Sequence, residues 1–176
     1  MESSLNVSTV VPLVLGSSLV TSIISHFVIG YRDRRKERKE LIAKASASVL
    51  KRVELCYRIR RRVAGEDVEI RNLIHDIQEE NEYYGCLLRV ESGWYGDRYS
   101  LYLESVKELT GDSMHNAWKK RGNPSADMED DVKLNHKKLD RLARQFSLDS
   151  RRFLCPVRRF LMAVHDRIWE VAKYGV

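Results

Sequence analysis

Two His-Asp dipeptides, His75-Asp76 and His165-Asp166, are the residues of this 176-residue chain best suited to metal chemistry. Such neighbouring ligands need further His or carboxylate partners from other helices, and His115 and His136 are the ones at hand. No Glu-x-x-His pair occurs, so the ligand pattern of a di-iron bundle is missing. Carboxylates cluster at Glu79, Glu80 and Glu82, and again at Asp127, Glu129, Asp130 and Asp131. The first cluster suits a basic neighbour or water. The second suits a helix first turn, where negative charge is favoured. Cys56, Cys86 and Cys155 have no CxxC spacing and no His nearby in sequence, which argues against a disulfide framework or a zinc ribbon. Phosphate-loop, dinucleotide, nucleophile-elbow and HExxH motifs are absent from the sequence. The chain therefore reads as a non-enzyme, with no catalytic residue, no metal ligand and no cofactor expected.

Basic residues carry more information. Arg58, Arg60, Arg61 and Arg62 form one cluster, and Arg151-Arg152 and Arg158-Arg159 follow later. Such charge could bind nucleic acid, but no recognition motif accompanies it, so nucleic acid is not the expected partner. Residues 65–91 carry a net charge of −6 and residues 32–64 a net of +9. Opposite charge blocks of this kind favour antiparallel neighbours joined at Gly65. Arg58, Arg60, Arg61 and Arg62 are then a surface for pairing with the acidic helix and with a cytoplasmic protein partner.

The elements that position these residues begin with a charge-free run. Ser3 to Tyr31 contain no Asp, Glu, Lys or Arg, and 12 of the 20 residues from Val10 to Ile29 are Val, Leu, Ile or Phe. Twenty helical residues span about 30 Å, the thickness of a bilayer core. A signal peptide would carry its positive charge before the apolar run, whereas here it comes after. Arg32, Arg34, Arg35, Lys36, Arg38 and Lys39 put six basic residues into eight positions. Basic flanks stay in the cytoplasm and attract anionic lipid. The expected layout is a short extracytoplasmic N-terminus over residues 1–6, a single transmembrane helix over 7–31 and a cytoplasmic domain over 32–176. Ser17, Thr21 and Ser25 make a small polar stripe, with Ser18, Ser22 and His26 beside it. Small residues four apart let membrane helices approach closely, so homo-oligomerisation through this stripe is expected.

The remainder reads as an all-α bundle of four or five helices. With 43% hydrophobic residues, 9 Gly and 3 Pro, disordered, collagen-like and all-β chains are excluded. Leu41, Ala45, Val49, Val53, Cys56 and Val63 mark the first helix, which could continue the membrane helix without a break or start anew after Gly30. Ile70, Leu73, Ile74, Ile77, Tyr84, Leu87 and Leu88 mark the second. Tyr95, Tyr99, Tyr102, Val106 and Leu109 mark a third, closed by Gly111, with a short helix from Asp112 to Trp118. Ser125 is the expected N-cap of a helix carrying Met128, Val132, Leu139, Leu142 and Phe146. Pro156 opens the last, with Val157, Phe160, Leu161, Val164, Ile168 and Val171 facing the core.

This layout resembles that of small single-pass proteins of bacteria and their phages, and no motif ties it to one family. The expected function is that of a membrane-anchored helical interaction or effector protein, with a phage-defence or toxin-like effector as one version. The competing readings are a membrane-tethered nucleic-acid or nucleotide sensor and a tethered metal or Cys enzyme.

Overall fold

Gly65, with φ +102°, turns the chain between two antiparallel helices, and everything downstream is built on that hairpin. The computed structural model describes residues 7–125 and 132–174, with the side chains of 7–20, 23, 24, 27, 165–167 and 169–174 left outside the description. Five helices are described: α1 (Val7–Arg61), α2 (Asp67–Glu91), α3 (Gly93–Lys119), α4 (His136–Leu154) and α5 (Pro156–Tyr174). No strand occurs among the described residues. The chain divides into two units, Met1–Lys39 and Glu40–Val176, and the division falls within α1.

In the first unit, α1 passes Gly30 without a break. Thr21, Ser22, Ser25, His26, Val28 and Ile29 are exposed. Among the described residues no helix is long and apolar enough to cross a membrane. Most of the apolar side chains behind the expected span belong to residues 7–20 and lie outside the described ones, as do Ser17, Ser18 and the expected N-terminal segment 1–6.

The second unit is a helical bundle. Ser48 and Lys51 of α1, and Arg62 just past its end, meet Asn81, Glu80 and Asp67 of α2, which fixes the antiparallel pairing. Ser92 ends α2 and starts α3: its N–H donates to Leu88 O (3.0 Å) and its Oγ accepts from Tyr95 N–H (3.4 Å). The α3 tyrosines recur every three or four residues, so they share one face. That face enters a core of Ile42, Ala45 and Val49 from α1, Leu88 from α2, and Phe146 and Phe153 from α4. Tyr95 stacks on Phe153 at 4.4 Å, and Tyr102 on Phe146 at 4.8 Å. Among the described residues every buried polar side chain is paired. Asn81 Oδ1 accepts from Ser48 Oγ (2.8 Å) and Tyr99 Oη (3.1 Å). A second cluster, Ile59, Ile70 and Ala117 with Met114 and Trp118, fills the end of the bundle near Gly65.

Three sequence expectations change. First, α3 runs through Gly111 to Lys119 instead of ending there. A helical glycine costs about 1 kcal/mol relative to alanine, and burial of Thr110 and Ala117 on either side offsets it. Second, the cap of α4 is Asn135, whose side chain accepts from Lys138 N–H at 3.0 Å. Ser125 instead donates its N–H to Asn123 Oδ1 in the preceding loop. Val132 is buried outside any helix, and Met128 lies outside the described residues. Third, Val157, Phe160, Leu161, Val164 and Ile168 of α5 do not enter the core but are exposed, and the side chain of Val171 lies outside the described ones.

Core burial has a pH consequence. It pushes the Cys56 thiol up to about 11 and the Tyr99 hydroxyl up to about 12, the latter despite its hydrogen bond with Ser48. Burial raises Tyr95 and Tyr102 as well. The folded protein therefore keeps protons that the unfolded chain releases, so these four groups leave stability unchanged below about pH 9 and lower it as pH rises beyond. Urea midpoints measured across this range should fall steadily. In Tyr95→Phe the fall should be shallower, and an unchanged slope would remove Tyr95 from the cause.

Candidate interaction site at the α1–α2 corner

Two short faces of like spacing meet beside Gly65. The end of α1 supplies Glu54, Tyr57, Arg58 and Arg61, at i, i+3, i+4 and i+7. The start of α2 repeats the spacing with Glu66, Glu69, Ile70 and Leu73, Glu66 being its N-cap. Residues so spaced share one side of a helix. Together with Arg62 and His136 they line an open groove of about 800 Å³. Grooves of this size accommodate a small molecule or a short segment of chain.

Most of the charge is already committed. Arg58 pairs with Glu54 at 2.9 Å, the favourable order for an i, i+4 pair. Glu66 Oε2 accepts from Val63 N–H at 2.7 Å and closes the turn. Tyr57 Oη lies 3.1 Å from His136 Nε2, which ties α4 to α1. Arg61 and Glu69 are exposed, and neither has an ion pair or side-chain hydrogen bond among the described residues. Ile70 and Leu73 supply the apolar part of the lining. A groove with one free cation, one free carboxylate and an apolar wall is chemically fit to hold a peptide segment. Its lining has no Ser, Thr, Cys or Lys.

The structure separates the four arginines that the sequence groups together. Arg58 and Arg61 are exposed at the groove. Arg60 is buried, its Nη1 donating to Arg121 O at 2.8 Å. Arg62 turns to the end of α3. Its Nη1 donates to Ile59 O (2.7 Å) and Ala117 O (3.1 Å), and its Nη2 to Trp118 O (2.8 Å) and Lys120 O (2.9 Å). The guanidinium also lies 5.0 Å from the Trp118 ring centroid and 3.1 Å from Asp67. A cation on the last carbonyls of a helix satisfies orphan acceptors and opposes the helix dipole. Arg60 and Arg62 thus act as internal clamps. Sequence reading missed His136 as a groove residue, and only its place at the first turn of α4 could have hinted at it.

The other candidates scatter. His75, Asp76 and His115 are exposed, whereas His165, Asp166 and Asp127 to Asp131 have side chains outside the described residues. Glu80 pairs with Lys51 at 2.7 Å. Cys56 is buried, Cys86 exposed and Cys155 half-buried. Among the described residues no three His, Cys, Asp or Glu side chains form a metal-ligand group. Arg32, Arg34, Arg35, Lys36 and Lys39 are exposed, and Arg38 is half-buried. No protein-family model matches the chain, and the chain matches no curated protein and no solved structure.

Proposed function

We propose that this protein is a membrane-anchored, non-enzymatic helical interaction protein. Residues 7–31 anchor it, the basic run 32–39 holds the bundle on the cytoplasmic side, and the α1–α2 corner receives a segment of a protein partner. The observation that carries the interaction reading is the groove itself, where Arg61 and Glu69 are uncommitted beside Ile70 and Leu73. Three glutamates among its lining residues oppose a polyphosphate ligand, whereas a peptide with an acidic and a basic side chain matches both free charges. Anchorage is supported by the charge-free run and its basic flank. Any action on the membrane itself needs several copies, because one helix cannot line a pore. The stripe Ser17, Thr21, Ser25 with Ser18, Ser22 and His26 is the surface proposed for that association.

A photo-crosslinking residue at position 61 tests the groove in native membranes. The expected result is one discrete protein adduct. It should vanish when Glu69 is changed to Lys, and a crosslinker at the exposed Arg141 should not form it. Equal adducts from positions 61 and 141 would rule the groove out as the partner site.

A further inference from the structure

The outward face of α5 is the largest departure from an ordinary bundle. Val157, Phe160, Leu161, Val164 and Ile168 recur at i, i+3, i+4, i+7 and i+11, the spacing of a single apolar stripe. In a bundle that stripe would be covered, yet these side chains are between 41% and 70% exposed. Among the described side chains of α5, a polar one reaches the bundle. Arg159 Nη2 lies 3.2 Å from Glu91 Oε2, and its guanidinium sits 5.3 Å from the Phe153 ring centroid. Among the described side chains, Arg159 thus meets the bundle while the five residues of the stripe stay exposed.

We propose that α5 is a membrane-surface helix, its apolar stripe seated in the headgroup region of an anionic bilayer. The proposal rests on the membrane anchorage proposed for residues 7–31. Two observations choose lipid as the occupant. The first is charge. At 100° per residue, Arg158 and Arg167 hold register positions bordering the apolar stripe on its two sides, while Asp166 and Glu170, with Arg159 and Lys173, hold positions opposite it, where charges of both signs balance. Basic edges beside an apolar stripe complement anionic headgroups. The same edges would repel those of a second α5. The second observation is position within the bundle. The pairing of α1 with α2 runs from Arg62 with Asp67 through Lys51 with Glu80 to Ser48 with Asn81. Continued, it puts Glu91 at the end of the bundle where Glu40 lies. Arg159 pairs with Glu91, so α5 starts at that same end. Leu154, just before α5, packs in the cluster that contains Leu41 and Ile42.

The test uses the full-length chain, reconstituted into vesicles of phosphatidylcholine with or without phosphatidylglycerol. Cys86 and Cys155 are changed to Ser, and buried Cys56 is kept. An environment-sensitive fluorophore is attached after Phe160→Cys or, separately, after Asp166→Cys. In phosphatidylglycerol vesicles the label at 160 should shift to the blue. Nitroxide-bearing lipid should quench it several-fold more strongly than the label at 166. Quenching should weaken without phosphatidylglycerol and disappear when Val164→Glu is added. A label at 160 that stays in water on anionic vesicles overturns the proposal. So does a label that is shielded equally on both lipids and crosslinks to a second chain, which would make that chain the occupant. Carbonate flotation separates this result from the anchorage. A chain that floats after carbonate with an unquenched label keeps its anchor and loses the surface helix. A chain stripped by carbonate whose label was quenched beforehand keeps the surface helix and loses the anchor.

Discussion

Tyr95→Ala is expected to destabilise the bundle by about 3–5 kcal/mol, the range for emptying a buried aromatic site. Tyr95 is fully buried, stacks on Phe153 at 4.4 Å and lies 5.6 Å from Phe146. It joins α3 to both aromatic residues of α4, so nothing nearby can close the cavity without moving a helix. Against a typical total of about 5–15 kcal/mol, the loss would leave little folding free energy. Tyr95→Phe separates the ring from the hydroxyl. The Tyr95 hydroxyl meets Ser150 Oγ at 2.6 Å, and Ser150 also donates to Phe146 O at 2.7 Å. Removing the hydroxyl therefore leaves Ser150 partnered, and the expected cost is only about 1 kcal/mol. Urea unfolding of the two variants checks the order. Equal losses would mean that the hydroxyl, and not the stack, holds α3 to α4.

Arg62→Met is expected to cost about 2–4 kcal/mol, because charged hydrogen bonds are stronger than neutral ones and their loss orphans several acceptors. The carbonyls of Ala117, Trp118 and Lys120 all accept from this one side chain. Methionine keeps much of the contact with Trp118 and removes every donor. Arg62→Lys should recover less than half of the loss, since a compact ammonium cannot reach what a planar fork reaches. Hydrogen exchange gives the local readout: amides in the last turn of α3 should exchange faster in Arg62→Met, while those around Tyr99 change only with global stability. Unchanged exchange there would show that water serves those carbonyls as well as the guanidinium does.

The helices were legible in the sequence where a stripe of apolar residues runs long, as in α2 and α3. The punctuation at Gly65 and Pro156 was legible too, because each residue restricts its own backbone. What could not be read depends on distant chain. Arg62 looks like a neighbour of Arg61, but three of its partners, the carbonyls of Ala117, Trp118 and Lys120, lie 55 to 58 residues away. Gly111 looks like a stop, and only the burial of Thr110 and Ala117 carries α3 through it. The stripe on α5 was plain, whereas its direction was not, since periodicity identifies a face without saying what it meets. The groove illustrates the same limit. Arg58 and Arg61 were visible as charge, and its shape needed the hairpin and His136 from α4.

Alkaline carbonate extraction of native membranes tests the membrane anchorage most directly. The full-length protein should stay in the pellet after carbonate and after high salt, and should be released only by detergent, because a charge-free, mostly apolar run of about 20 residues would hold it by hydrophobic burial rather than by charge. Complete release into the carbonate supernatant would contradict the anchorage and leave the chain a helical bundle bound to the membrane, if at all, only through its surface.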